Sequence, residues 1–378
     1  MKKISALITA LFLFTAANTQ AQVSNTEGTL FHTQSGKTTE KGTLILTNNM
    51  NFYTTAGEYI GSLKPDNFKT KNYWLVAGNL GLSYGITNHF DVSLGLRVYQ
   101  DTHYSNEYNL PDDLFLTLKL GSFGSSRNHF YQAFSTTMRF PTGEIHNYPF
   151  EEYASGAIEF GFLWAATYFS DPYLPRRSFS LHFNMGWWTH NEKGTTVYEY
   201  DDGTKLDATV NSNELRLAMG AVYPTSLFDY RIELSGIIYI TDPDRFVYSA
   251  EEWSFLTPSI RYKPFSWASF DLGVDIRLSP ERQFTSGVPD LSSDLNLPGS
   301  YPPWKVQMGA NFTFGLSNQK ASQYPDYERR EYQKKIELIE SVIEEQEKAE
   351  KAQKEFENLQ KVRKNTDKAI EDLQNVLE

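Results

Sequence analysis

Two groupings of residues in the sequence could do chemistry, and neither has the company that catalysis needs. Ser180 and His182 stand two apart, so on an extended strand both side chains emerge on one face, where an imidazole could take the seryl proton. Their parity, shared with His129, points to the inward face of a barrel, whereas lipolysis at a membrane needs those groups toward lipid; the pair therefore reads as structural. Four acidic doublets, Asp112-Asp113, Glu151-Glu152, Asp201-Asp202 and Glu251-Glu252, could offer carboxylates to a hard cation such as Ca²⁺. Placed in loops, they read first as solvated charge. The chain has no His-Glu-x-x-His, no Gly-x-Ser-x-Gly elbow and no Gly-rich phosphate loop on a strand-helix unit, the motifs that usually announce catalysis. The expectation is a non-enzyme with no cofactor and no metal.

The larger set of polar residues is defined by position. Asp91, Arg97, Lys119, Arg139, Glu159, Glu214, Arg216, Arg231, Glu233, Arg261, Asp271, Asp275, Arg277 and Lys305 all fall on one parity of alternating segments. From Phe90 to Val98 the apolar residues Phe90, Val92, Leu94, Leu96 and Val98 alternate with Asp91, Ser93, Gly95 and Arg97, a period of two. The same reading recurs at 43–54, 72–86, 90–100, 112–121, 129–140, 153–169, 178–190, 212–223, 229–241, 253–263, 268–279 and 303–317. Those twelve segments are longer than ordinary soluble strands and suit strands that cross a membrane at a tilt. Apolar on one parity and charged on the other is the lipid-out, polar-in pattern of an antiparallel transmembrane β-barrel. The fourteen charges are thus expected to face the lumen, either as a transverse field in a pore or as pairs that close it.

Connection lengths set the orientation. Short joins at 87–89, 122–128, 170–177, 224–228 and 264–267 alternate with long ones at 55–71, 101–111, 141–152, 191–211, 242–252 and 280–302. Tight turns on the periplasmic side and long loops outside are the outer-membrane topology, and an even strand count puts both termini in the periplasm. Tyr84, Phe90, Phe130, Tyr168, Phe179, Tyr223, Tyr230, Tyr262, Phe270 and Phe314 fall at outward positions near the short turns, while Phe52, Trp74, Phe140, Trp187 and Trp304 fall near the long loops, as two interfacial girdles would. In the last segment Gln307, Gly309, Phe312 and Phe314 resemble the final-strand signal read by the barrel-insertion machinery.

Composition agrees. The 378 residues include 56 aromatics (7 Trp, 23 Tyr, 26 Phe), no Cys and a net charge of −11. An acidic chain without a basic cluster does not suit nucleic acid. Lys2 and Lys3 precede an apolar run from Ile4 to Ala17, and Thr19-Gln20-Ala21 supplies small residues for cleavage, so residues 1–21 read as a signal peptide. Residues 22–41 follow as an N-terminal periplasmic segment, 42–317 as the barrel, 318–326 as a linker and 327–378 as a periplasmic helix. The last segment has neither Gly nor Pro. It places Val342, Ala349, Phe356, Arg363, Ile370 and Leu377 seven apart, a coiled-coil-like heptad with a diluted core. A periplasmic protein or a second copy of the chain is the partner expected there, and outer-membrane lipid is expected around the barrel.

The run Leu80 to Gly95, the segment Met138-Arg139-Phe140-Pro141-Thr142-Gly143 and the closing Phe312-Thr313-Phe314 resemble a family of bacterial outer-membrane barrels labelled putative transporter, or outer-membrane protein of the meta-pathway of phenol degradation. The resemblance spans roughly residues 40 to 317 and implies uptake of small compounds, hydrophobic or aromatic ones among them. The sequence-based expectation is an all-β, twelve-stranded outer-membrane channel for passive passage of small solutes. The alternative is a structural envelope protein with a sealed lumen, whose C-terminal helix tethers a partner or joins copies.

Overall fold

In a computed structural model of the chain, the described residues are 29–57, 71–102, 113–124, 129–143, 153–171, 175–199, 203–247, 251–280, 301–315 and 324–377. The strands are β1 (Thr43–Gly57), β2 (Lys71–Thr87), β3 (Phe90–Thr102), β4 (Leu114–Phe123), β5 (Phe130–Phe140), β6 (Glu159–Phe169), β7 (Ser180–Thr189), β8 (Thr196–Glu199), β9 (Lys205–Asp207), β10 (Asn213–Pro224), β11 (Phe228–Thr241), β12 (Trp253–Phe265), β13 (Ala268–Arg277) and β14 (Trp304–Gly315). Twelve of them close into one antiparallel barrel in the order β1-β14-β13-β12-β11-β10-β7-β6-β5-β4-β3-β2. The ring shuts where β1 pairs with β14, from Thr43 opposite Gly315 to Phe52 opposite Val306. Closure leaves no unpaired edge, the condition for a sheet in hydrocarbon.

The alternation in the sequence becomes the two faces of the wall. In β4, Phe115, Thr117 and Lys119 are buried while Leu118 and Leu120 are exposed. The outer face carries a belt of exposed Leu, Ile, Met and Phe, with Tyr84, Phe130, Tyr168, Phe179, Tyr223, Tyr230, Tyr262 and Phe270 exposed toward the short turns and Trp304 toward the long ones. Phe52, Phe140 and Trp187 are half-buried on the same parity, and the side chain of Trp74 lies outside the described residues. The β12–β13 ladder passes over Thr257 and Pro258, where proline has no N–H to give; Thr257 Oγ1 instead donates to Asp275 Oδ1 at 2.7 Å.

Beyond shifts of up to three residues at strand ends, the structure departs from or adds to the sequence reading at several places. The sixth barrel strand starts at Glu159 rather than 153, because Gly156 turns the chain in the left-handed region at φ 72°. The 191–211 connection contains its own hairpin, β8 with β9, joined through Gly203 at φ 83°. The helix α1 (Tyr324–Leu377) begins three residues before 327, since Pro325 occupies a first-turn position whose N–H has no helical partner. Most consequentially, the sequence makes residues 22–41 an N-terminal periplasmic segment and leaves open whether they plug the lumen. Their described part, 29–41, is enclosed by the wall.

The chain divides into two compact units, Met1–Ala321 and Ser322–Glu378. The second is α1, with Ile336, Ile339, Val342, Ile343, Phe356, Leu359 and Val362 exposed along it and Glu344 paired to Lys348 at 2.7 Å one turn later. No helix among the described residues is long and apolar enough to cross a membrane, a statement that does not bear on strands.

Candidate functional site

The inward face gathers the charges. Asp91, Arg97, Lys119, Arg139, Glu159, Glu214, Arg216, Arg231, Glu233, Asp271, Asp275 and Lys305 are buried, and Arg261 and Arg277 are half-buried. They meet opposite charge across strands. Arg261 sits opposite Asp271 in the β12–β13 register, and its Nε and Nη2 donate to the two carboxylate oxygens at 2.7 and 2.8 Å. This fork-to-fork arrangement is the strong geometry for such a pair. Arg231 lies 3.1 Å from the same carboxylate, and Lys305 lies 3.4 Å from Asp275. Asp91 and Lys119 face each other across β3 and β4. Arg277 Nη1 donates to the carbonyl of Tyr301 at 2.6 Å. Paired this closely, buried charges avoid the penalty of isolation and present little net field to the lumen.

Toward the long-loop side the pairs merge. Arg139 Nε donates to Asp113 Oδ2 at 2.5 Å, and its Nη1 lies 3.6 Å from Glu159. Glu159 accepts from Trp188 Nε1 at 2.9 Å and from the backbone N–H of Ser155 at 2.9 Å. Gly161 makes room for that indole: a Cβ there would lie 2.3 Å from Trp188 Cε3. The imidazole of His190 stands between two carboxylates, Nδ1 at 3.1 Å from Glu159 and Nε2 at 3.5 Å from Glu214. Glu214 is also bonded by Arg216, whose guanidinium lies over the Trp188 ring at 4.4 Å. His190 follows the spanning strand β7 rather than lying in it. Burial would depress its pKa, but Glu159 and Glu214 outweigh burial and raise it to about 9.

The short-turn half of the interior is occupied by residues 29–41. Glu233 on β11 accepts three donors from consecutive residues: Phe31 N at 2.9 Å, His32 N at 2.7 Å and Thr33 Oγ1 at 2.9 Å. His32 Nε2 meets Asp275 Oδ1 at 2.9 Å. Asn184 on β7 clasps Gln34 from both sides, its Oδ1 accepting from the N–H at 2.6 Å and its Nδ2 donating to the carbonyl at 2.9 Å. Beyond it, Gly36 N donates to Thr167 Oγ1 at 2.8 Å, Thr38 N to Ser122 Oγ at 2.9 Å and Thr39 N to Asp91 Oδ2 at 2.8 Å. The segment thus crosses the lumen from β11 and β13 to β3 before turning into β1. Two glycines mark its closest approaches: a Cβ on Gly36 would lie 2.3 Å from the Tyr131 carbonyl oxygen, and one on Gly85 2.1 Å from that of Glu40.

Other sequence-singled residues fall into place around this plug. Ser180 Oγ lies 3.0 Å from His182 Nε2, and His182 Nδ1 lies 3.0 Å from Thr167 Oγ1. The imidazole is therefore backed by a hydroxyl already engaged with Gly36, not by the carboxylate that activates a nucleophile. His129 is exposed at a short turn, stacked on Tyr168 with ring centroids 5.6 Å apart, rather than inward. Of the acidic doublets, Asp113 and Glu251 are buried, and Asp113 is an ion-pair partner of Arg139. Glu252 is exposed, while Asp112, Glu151, Glu152, Asp201 and Asp202 lie outside the described residues. No group of His, Asp and Glu fit to hold a metal occurs among the described residues. On β14, Gln307 donates to Asp275 Oδ2 at 2.7 Å. Gly309 leaves room for the amide oxygen of Asn49, 2.8 Å from where its Cβ would be. Phe312 stacks on Trp267, and Phe314 is exposed. Asn184, Thr167 and Trp188 are not singled out by the sequence, which also leaves open whether residues 22–41 fill the lumen. Gly36 within a polar stretch was the one local signal.

No family description matches the sequence, and no curated protein matches it. Among solved structures, the chain is similar to the NanC porin at 10% identity, over 70% of this chain and 98% of that one, with a TM-score of 0.45. It is similar to an outer membrane channel from Pseudomonas putida F1 at 12% identity, over 74% and 98%, with a TM-score of 0.42. The Pseudomonas putida toluene transporter TodX matches at 9% identity, over 79% and 93%, with a TM-score of 0.35. These values do not assign the chain to a family.

Proposed function

We propose that this chain is an outer-membrane β-barrel that lets small solutes pass by diffusion. One observation carries the reading: a closed twelve-stranded wall with an apolar, aromatic-rimmed outside and a polar inside, which only a lipid environment makes stable on both faces. The short turns face the periplasm in this reading, with both termini on that side. The pattern Gln307, Gly309, Phe312 and Phe314 serves assembly, read by the insertion machinery. Planar-bilayer recording of the refolded chain tests the function, and stable single-channel steps are expected. Silence from a correctly folded barrel overturns it.

A second reading is favoured by residues 29–41, which fill the short-turn half of the lumen through buried hydrogen bonds. In that reading the barrel is sealed, and α1 tethers a periplasmic partner or joins copies. Recording from chains lacking residues 22–41, and separately 322–378, distinguishes the two. A channel keeps its steps when the helix is removed. A sealed barrel conducts only when the plug is removed, and loses a crosslinked partner when the helix is.

A further inference from the structure

The outside of the wall is apolar between its two aromatic rims except at one point. Asn48 shares the outward parity of β1 with Leu44, Leu46, Met50 and Phe52, and it is exposed. Among the described residues no other exposed side chain between the rims is polar. Gln132, also outward, is half-buried and accepts from Trp164 Nε1 at 3.1 Å, whereas Asn48 makes no side-chain hydrogen bond among the described residues.

The register fixes its depth. Leu44 stands opposite Phe314 and Tyr84 of the short-turn rim, and Thr54, two residues beyond Phe52, stands opposite Trp74 of the long-loop rim. Asn48 lies midway between Leu44 and Phe52, with about 13 Å of strand on either side, which sets it near the middle of the hydrocarbon. Lipid tails offer a carboxamide neither donor nor acceptor, and water does not reach that depth. The group that meets it must come from protein. Opposite Asn48 on β14 is Ala310, and Gly78 on β2 faces the same way beside Leu80; such short residues let a second wall come close. No charged side chain points outward on β14, β1 or β2 among the described residues, so like surfaces meet there without repulsion.

From these observations we infer that a second copy of the chain docks on the outer face of the β14–β1–β2 seam, in a dimer whose twofold axis runs along the membrane normal beside Asn48. Symmetry selects the partner. Such an axis returns every residue to its own depth, so the mid-plane amide meets its own counterpart. A carboxamide is also self-complementary: each Asn48 donates an N–H to the other's oxygen, and two hydrogen bonds close the pair. A second feature points to the same seam. β14 is the strand from which the chain continues to α1, which begins at Tyr324, nine residues after Gly315. Docking here roots both copies of α1 at one contact, and their exposed apolar residues, Val342, Phe356 and Leu359 among them, can cover one another along the heptad. The inference rests on the membrane reading above and holds for an open or a sealed lumen.

The test is cross-linking of the full chain in proteoliposomes. The chain has no native cysteine. Ala310→Cys keeps Asn48 and puts a thiol beside the axis, while Leu118→Cys puts one on β4, away from the seam. A short bis-maleimide is expected to give a dimer with Ala310→Cys and none with Leu118→Cys. Asn48→Leu, which keeps bulk and removes hydrogen bonding, is expected to weaken dimerisation in detergent sedimentation roughly five- to hundredfold, the factor two neutral hydrogen bonds are worth. Asn48→Gln, which keeps the carboxamide, is expected to restore part of it. Equal cross-linking at the two sites, no dimer from either, or a Leu variant that associates like the parent chain overturns the inference while the membrane reading stands. A parent chain that does not enter liposomes overturns both. If the Leu variant fails the heat-dependent gel shift of a folded barrel, the Ala310→Cys and Leu118→Cys comparison decides alone, because both leave Asn48 in place.

Discussion

Replacing Glu233 with alanine should loosen the plug more than any other single change in the wall. Three donors from Phe31, His32 and Thr33 converge on this one carboxylate, which is 1% exposed. A buried donor left without its acceptor costs about 1–3 kcal/mol. Allowing for partial relaxation, the three together weaken the docked state by roughly 3–6 kcal/mol, or about two to four orders of magnitude in the time the segment spends displaced. The absence of any native cysteine provides a clean assay. Ser35 is fully buried, so a Ser35→Cys thiol reacts with a water-soluble maleimide only when the segment leaves its track. Labelling in the Glu233→Ala background should accelerate until detachment no longer limits it. Glu233→Gln retains one acceptor oxygen and should fall between. Equal labelling rates with Glu233 and with the alanine would refute the assignment of this residue as the plug's anchor.

Gly36→Ala should expose the same reporter thiol, because the added methyl would lie 2.3 Å from the Tyr131 carbonyl; unchanged protection would show that the backbone shifts at little cost. His190 makes the barrel's stability pH-dependent. Its raised pKa means that its contribution is complete below the ordinary value of 6.5 and is lost as pH rises through about 9. Urea unfolding of the refolded barrel at pH 6 and pH 10 should show that loss, and His190→Gln should shrink the difference. Removing residues 322–378 should leave the barrel's heat-dependent gel shift intact, since the two units are separately compact. Cysteine at Lys205 should label from outside the cell and cysteine at Asn88 only after the periplasm is opened, and the reverse result would invert the orientation.

The wall was legible because a two-residue period is written in side chains. Each of the twelve barrel strands alternates apolar with polar, and pairs such as Arg261 with Asp271 lie directly opposite once the register is set. The plug was not legible for the converse reason. Much of what holds it is backbone: the N–H groups of Phe31, His32, Gln34, Gly36 and Thr39. Every residue but proline has such a group, so the donors leave no compositional trace. The acceptors Glu233, Asn184 and Asp91 were visible, but as lumen-facing polar residues like any others. The start of α1 was misplaced because Pro325 reads as a breaker until its position in the first turn is known.

The plug is joined to the wall without a spacer: Gly42 N already donates to Gly85 O at 2.8 Å, and Thr43 begins β1. A displaced segment therefore stays at the mouth of its own binding track, at an effective concentration in the millimolar range or above. Re-entry is a first-order event, independent of how much protein is present. A synthetic peptide of the same sequence, added in trans, would have to exceed that local concentration before it could hold the track open to itself.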